Sequence, residues 1–117
     1  MRHKKEGRKF HRETGQRKSF VRSLMLALLK TGKIKTTEAR AKEIKPLVEK
    51  AITLAKKQDL ASRRLLISRL HDKKIVQKLC DELAKKYADR KGGFTRIVKL
   101  GVVRKRDATR MVEISFV

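Results

Sequence analysis

The 117 residues carry 34 Lys and Arg against 12 Asp and Glu, for a formal net charge of +22 and a sequence pI near 10.9. One domain of this length, with at most an arm or two, would repel itself over its whole surface, so the composition points to a polyanionic partner, nucleic acid ahead of an anionic membrane. No stretch approaches the roughly 20 apolar residues of a membrane span, and the single cysteine, Cys80, excludes an intrachain disulfide or a cysteine metal cluster and indicates a reducing compartment, by default the cytoplasm.

The chain opens "MRHKKEGRKFHRETGQRKS". Arg2, Lys4, Lys5, Arg8, Lys9, Arg12, Arg17, Lys18 and Arg22 are opposed here only by Glu6 and Glu13, and Met1 and Phe10 are the only large apolar residues before Phe20. So little burial cannot offset the entropy of ordering. Residues 1–15 are therefore expected to form an extended basic arm, unstructured alone to about Arg17 and ordered only on an anionic partner. A single α+β domain is expected over 16–117.

Phe20, Leu24, Ala27 and Leu28 recur at helical spacing, with Thr14 or Gly15 placed to cap the start and Gly32 placed for a left-handed C-terminal cap. A short extended piece follows at Lys33–Thr36, with Ile34 pointing inward. Thr36 or Thr37 then offers a hydroxyl cap to a second helix, and Glu38 complements its dipole. The stripe Ile44, Leu47, Val48, Ala51, Ile52, Ala55 keeps phase across Pro46, which predicts one kinked helix to about Lys57. Asp59 is placed to cap a third helix through Leu70, carrying Leu65 and Leu66. Asp72 is placed to cap a fourth, with Ile75, Val76, Leu79, Leu83 and Tyr87 on one face. Gly92 and Gly93 supply the positive φ of a sharp reversal.

From Phe94 to Val103 and from Met111 to Val117 the pattern turns β-branched and alternating, with Val112, Ile114 and Phe116 on one face. "RKRDATR" between them is a hairpin turn with a basic tip. Two strands alone are marginal, so Lys33–Thr36 is the candidate third strand and the helices must cover one face. The expected fold is α+β, with about four helices packed on a two- or three-stranded sheet.

Nothing in the residues suggests catalysis. His3, His11 and His71 lack metal-ligand spacing, and no glycine-rich phosphate fingerprint occurs. The carboxylates cap helices or pair along them, as Glu38–Lys42 and Glu82–Lys86 would. No cofactor, metal or small-molecule substrate is expected; a nuclease built on His71 is the minority reading. Lys42, Lys50 and Lys57 have the spacing of a solvated helix face. Aromatic residues are only 4% of the chain, too few for base-stacking recognition. A free-standing, nucleoid-type DNA-binding protein using the third and fourth helices is the alternative function, but a flexible cationic arm suits the crevices of folded RNA better.

"MRHKKEGRKFHR", "IKTTEARAKEIKPLVEKAITLAKK" and "KLCDELAKKYADRKGGFTRIVKLG" resemble, in order and over nearly the whole chain, the bacterial large-subunit ribosomal proteins of the L-seventeen family. The resemblance implies a structural, non-enzymatic protein of the cytoplasmic large ribosomal subunit that contributes to translation. Its partners would be large-subunit ribosomal RNA near the peptide exit side and neighbouring large-subunit proteins, with no membrane involved. Met1-Arg2-His3 and Gly7-Arg8 fall on the family's arm motif, which threads into RNA. Thr36, Thr37 and Arg40 fall on its turn into the second helix, and Gly92-Gly93-Phe94-Thr95-Arg96 on its glycine loop. Gln16 stands where members often carry histidine. Arg106 and Arg110 stand where a glycine before the aspartate and a proline after the alanine are common. The expected RNA contacts are therefore Arg2, His3, Lys4, Lys5, Arg8, Lys9, Arg12, Arg17, Lys18 and Arg22 at the N-terminal end. In the body they are Lys35, Thr36, Thr37, Arg40, Arg63, Arg64, Arg90, Lys91, Gly92, Gly93 and Arg96.

Overall fold

The computed structural model describes Phe10 and residues 13–117. Most of the expected arm lies outside the described residues. Helix α1 spans Thr14–Thr31, strand β1 Lys33–Thr37, helix α2 Glu38–Ala55 and helix α3 Leu60–Leu70. Helix α4 begins as Lys73–Lys78 and continues through a π-helical stretch, Leu79–Leu83, to a last turn, Ala84–Lys86. Strands β2, Thr95–Val103, and β3, Arg110–Phe116, complete the chain. Four helices on a small sheet is the α+β arrangement that the sequence pattern predicts.

The helix starts follow from side-chain chemistry. Asp59 Oδ1 accepts from the Ser62 amide at 2.7 Å and Asp72 Oδ1 from the Ile75 amide at 3.1 Å, each satisfying a first-turn N–H with no partner inside the helix. Thr37 Oγ1 does the same for the Arg40 amide at 3.4 Å. Helix α1 departs from expectation. Neither Thr14 nor Gly15 caps it; Glu13 precedes it with no side-chain cap bond, and the Arg17 amide donates to the Glu13 carbonyl at 2.7 Å. Thr14 to Arg17 are thus helical rather than part of an extended arm. At the other end Gly32 takes φ +87° and returns its N–H to the Leu28 carbonyl, a conformation that favours glycine.

Helix α2 is the centre of the domain, packed against α1, α3, the π-helical stretch and all three strands. Ala41, Ile44, Val48, Ile52 and Ala55 are fully buried along it, and the small alanines let neighbouring elements approach. Pro46 lies inside this one helix on its exposed side. Two expected core residues sit at the margin instead: Leu47 is 37% and Leu65 is 40% exposed, while Val48 and Leu66 beside them are buried. The free thiol of Cys80 is buried, as a lone cysteine in an apolar stripe should be, and burial raises its pKa.

The sheet is antiparallel with order β1-β3-β2. The Lys33–Thr36 piece is indeed a third strand, and it pairs with β3, which leaves β3 central. Ile34, Ile114 and Ile97 stand opposite one another, as do Thr36, Val112 and Lys99. Ile114 and Val112 are fully buried, so this row set faces the helices. Because side chains alternate along each strand, the intervening residues face the other way. Between Lys99 and Val103 the β2–β3 register shifts, with Gly101 at φ +71°.

Candidate nucleic-acid interface

The helix-free face of the sheet brings together cations that lie far apart in sequence. Register places Lys33 opposite Ser115 and Ser115 opposite Arg96, so one row across three strands reads Lys-Ser-Arg. In the next row Lys35 faces Glu113, which faces Val98. Lys33, Lys35 and Arg96 are all exposed. Neighbouring strands lie about 4.8 Å apart and alternate residues about 6.7 Å, so three cationic heads are spread over an area of the size of a few phosphates. Arg96 and Lys35 are among the residues expected from sequence. Lys33 is an addition; only the strand register reveals it, since it aligns with neither side chain along the chain itself.

Other expected residues are distributed as follows. Arg2, His3, Lys4, Lys5, Arg8, Lys9 and Arg12 lie outside the described residues. Lys18 and Arg22, four apart on α1, share a face, and the Arg22 guanidinium donates to His71 Nδ1 at 2.7 Å. Arg17 is half-buried one step round the helix. Arg40 lies over the Phe20 ring, 4.9 Å from its centroid. Arg63 reaches Asp81 at 3.5 Å while Arg64 points to solvent.

The glycine loop is held from within. Arg90 Nε donates to the Gly92 carbonyl at 3.1 Å, and Lys56 Nζ donates to the Arg90 carbonyl. Gly93 alone of the glycine pair has a positive φ, +64°, whereas the sequence suggested both. Lys91 beside it is exposed. Thr36 and Thr37 are buried, each 5% exposed, and Thr37 spends its hydroxyl on the α2 cap. Both shape the turn into α2 and present little surface to a ligand. A motif match cannot distinguish such a framework residue from a contact residue.

Glu113 is the one carboxylate that the strand register places among these cations, opposite Lys35, whereas several others are engaged by local cations and amides. Glu38 pairs with Lys42 at 2.9 Å, as the four-residue spacing predicts, and that bond lowers its pKa, helped by Lys99 and Arg110. The Glu82–Lys86 pair is not among the ion pairs of the described residues; Lys86 lies over the Tyr87 ring instead, 5.2 Å from its centroid. At the hairpin tip Arg104 forks onto Asp107, and together with Thr109 it depresses the Asp107 pKa to about 2. Lys105 and Arg106 remain exposed on that tip. Among the described residues no three His, Cys, Asp or Glu side chains gather to hold a metal ion, and no helix is long and apolar enough to cross a membrane.

Comparison with known proteins agrees with the motif resemblance. The family model described as "Ribosomal protein L17" matches residues 20–117. The chain is 49% identical over 117 residues to the large ribosomal subunit protein bL17 of Sphingopyxis alaskensis, covering all of this chain and 84% of that protein. It is 51% identical over 110 residues to bL17 of Desulfitobacterium hafniense, covering 94% and 97% of the two chains. To bL17 of Clostridium botulinum it is 48% identical over 110 residues, covering 94% and 96%.

Proposed function

Because the chain belongs to the ribosomal protein L17 family, we propose that it is held in the large ribosomal subunit by large-subunit ribosomal RNA, through its basic N-terminal segment and the helix-free sheet face. It is a bacterial large-subunit ribosomal protein of the cytoplasm, a structural constituent of the translation machinery and not an enzyme. That identity sets aside both the free-standing DNA-binding reading and the nuclease reading. Neighbouring large-subunit proteins are its further partners.

The observation that carries the RNA reading is the cross-strand row Lys33–Ser115–Arg96 with Lys35 beside it. It is cationic and carries no aromatic ring, which suits backbone phosphates rather than stacked bases. Most of the remaining charge is on exposed side chains of the helices and the hairpin tip, which accounts for a net +22 that the protein has no internal means of neutralising.

Sedimentation tests the reading. In a sucrose gradient of cell lysate the protein should travel with the large-subunit peak, and purified protein should bind large-subunit RNA with an affinity that falls steeply with salt. A protein missing from that peak yet abundant on chromosomal DNA, or an affinity indifferent to salt, overturns it.

A further inference from the structure

We propose that the groove between α1, α2 and α3 accepts one extruded nucleobase of the bound RNA, with its phosphate on the cationic rim; this rests on the RNA-binding reading above. The groove has a volume of about 390 Å³ and an apolar floor made by Met25 of α1, Ala51 of α2 and Leu66 and Leu70 of α3. Leu47 forms one wall and stays 37% exposed, although its position belongs to the apolar stripe of α2. A leucine held open beside buried neighbours is what an unfilled apolar slot produces.

The occupant follows from charge. Among the described residues, Lys50 and Arg69 are the only charged side chains lining the groove, and no carboxylate lines it. An aliphatic side chain of a protein partner would match the floor and leave both cations unused. A nucleotide matches both parts, because its base offers a flat apolar face and its phosphate an anion. The space is at the small end of ligand pockets, enough for one base and its ribose.

A third group points the same way. Arg22 stands one turn before Met25 on α1, and His71 directly follows Leu70, so their 2.7 Å bond ties the two helices together beside the groove. A guanidinium has only donors, so His71 Nδ1 must accept. Its Nε2 then carries the ring hydrogen, a donor available to a phosphate or a base edge. This gives the exposed His71 a binding role in place of the minority nuclease reading.

The test uses the full-length chain with carbon-13 labelled methyl groups, titrated with the four nucleoside 5′-monophosphates and, separately, with ribose 5-phosphate. The methyl signals of Met25, Leu47, Leu66 and Leu70 should shift saturably with the nucleotides and stay in place with the sugar phosphate. Leu47→Gln, a change at an exposed position, should abolish those shifts and lower affinity for large-subunit RNA about tenfold with the salt slope unchanged. Lys50→Ala should instead reduce the slope by about 1. If the wild-type chain binds the RNA but these methyls ignore nucleotides, or respond equally to ribose 5-phosphate, the groove proposal fails alone. If they respond only to an acidic apolar peptide, the groove belongs to a protein partner and the proposal fails. A wild-type chain that does not bind the RNA overturns the parent reading.

Discussion

Gln58 bridges the end of α2 to the π-helical stretch of α4: its side-chain amide donates to the Cys80 carbonyl at 2.8 Å and to the Ala55 carbonyl at 3.1 Å. It does so from a left-handed backbone, φ +57°. Gln58→Ala keeps that backbone cost and loses both bonds, so it should destabilise the fold by about 1–3 kcal/mol. Gln58→Gly loses the same bonds but relieves the positive φ, so it should cost less. Urea unfolding midpoints with an unchanged slope measure both; an alanine variant as stable as wild type removes the bridge from the account of the fold.

The sequence pattern locates this helix pair but not the bridge, because a glutamine after a helix end carries no signal for a partner 22 residues away. What is legible is local: Asp59 and Asp72 as caps, Gly32 as the left-handed stop, and the alternation of Val112 and Ile114. What is not legible depends on register and on which neighbour arrives. Ile34 alone cannot say whether β1 joins β2 or β3, and Lys33 enters the candidate interface only once Ser115 is known to stand between it and Arg96. Leu47 of α2 and Leu65 of α3 satisfy helical periodicity yet lie at the margin, because periodicity marks an apolar face without saying how much of it the neighbouring elements cover.

Pro46 offers a gain in stability. It interrupts the hydrogen-bond ladder of an otherwise continuous α2 and sits on the exposed side, so nothing in the core depends on its ring. Pro46→Ala should restore a backbone donor and raise stability by about 1–2 kcal/mol, less than the full proline cost because the unfolded chain also gains freedom. Thermal unfolding gives the answer; a lower Tm would mean that the proline itself is needed for α2 to pack.

At the hairpin tip the Asp107 carboxyl, held by Arg104 and Thr109, has its pKa depressed from 3.8 to about 2. A depressed carboxylate contributes order above its unfolded pKa and loses that contribution as pH falls through the folded one. The tip should therefore stay closed at pH 4 and loosen near pH 2. Carbon-detected titration of the Asp107 carboxyl should show a midpoint near 2, and Arg104→Ala should bring it back toward 3.8. An ordinary midpoint in the wild-type chain means that the ring of contacts does not form in solution.

The helix-free sheet face can be tested separately from stability. Lys33→Ala, Lys35→Ala and Arg96→Ala combined should leave Tm nearly unchanged, since all three side chains are exposed and none is in the core. The dependence of RNA affinity on salt should become shallower by about 2 to 3 in log–log slope, close to one unit per lost phosphate contact. If the slope is that of the wild type, the row Lys33–Ser115–Arg96 does not meet the RNA.

The N-terminal segment makes the last prediction. Deleting residues 2–9 removes Arg2, Lys4, Lys5, Arg8 and Lys9, while it spares Phe10, whose ring meets Phe20 edge-on at 5.5 Å, and helix α1 from Thr14. Every buried hydrophobic residue of the core cluster lies between Leu28 and Ile114, so the truncated chain should melt at nearly the wild-type temperature. RNA affinity should behave differently. If each of the five cations neutralises a phosphate, at about 0.7 to 0.9 per contact, the salt slope should drop by about 3.5 to 4.5. Affinity near physiological salt should fall by orders of magnitude. Filter binding across a salt series, with a thermal melt of the same preparation, separates the two effects. A truncated chain that binds RNA and joins the large subunit as well as the full chain would show that these cations only solubilise the protein, and the interface would then reduce to the sheet face and the helices.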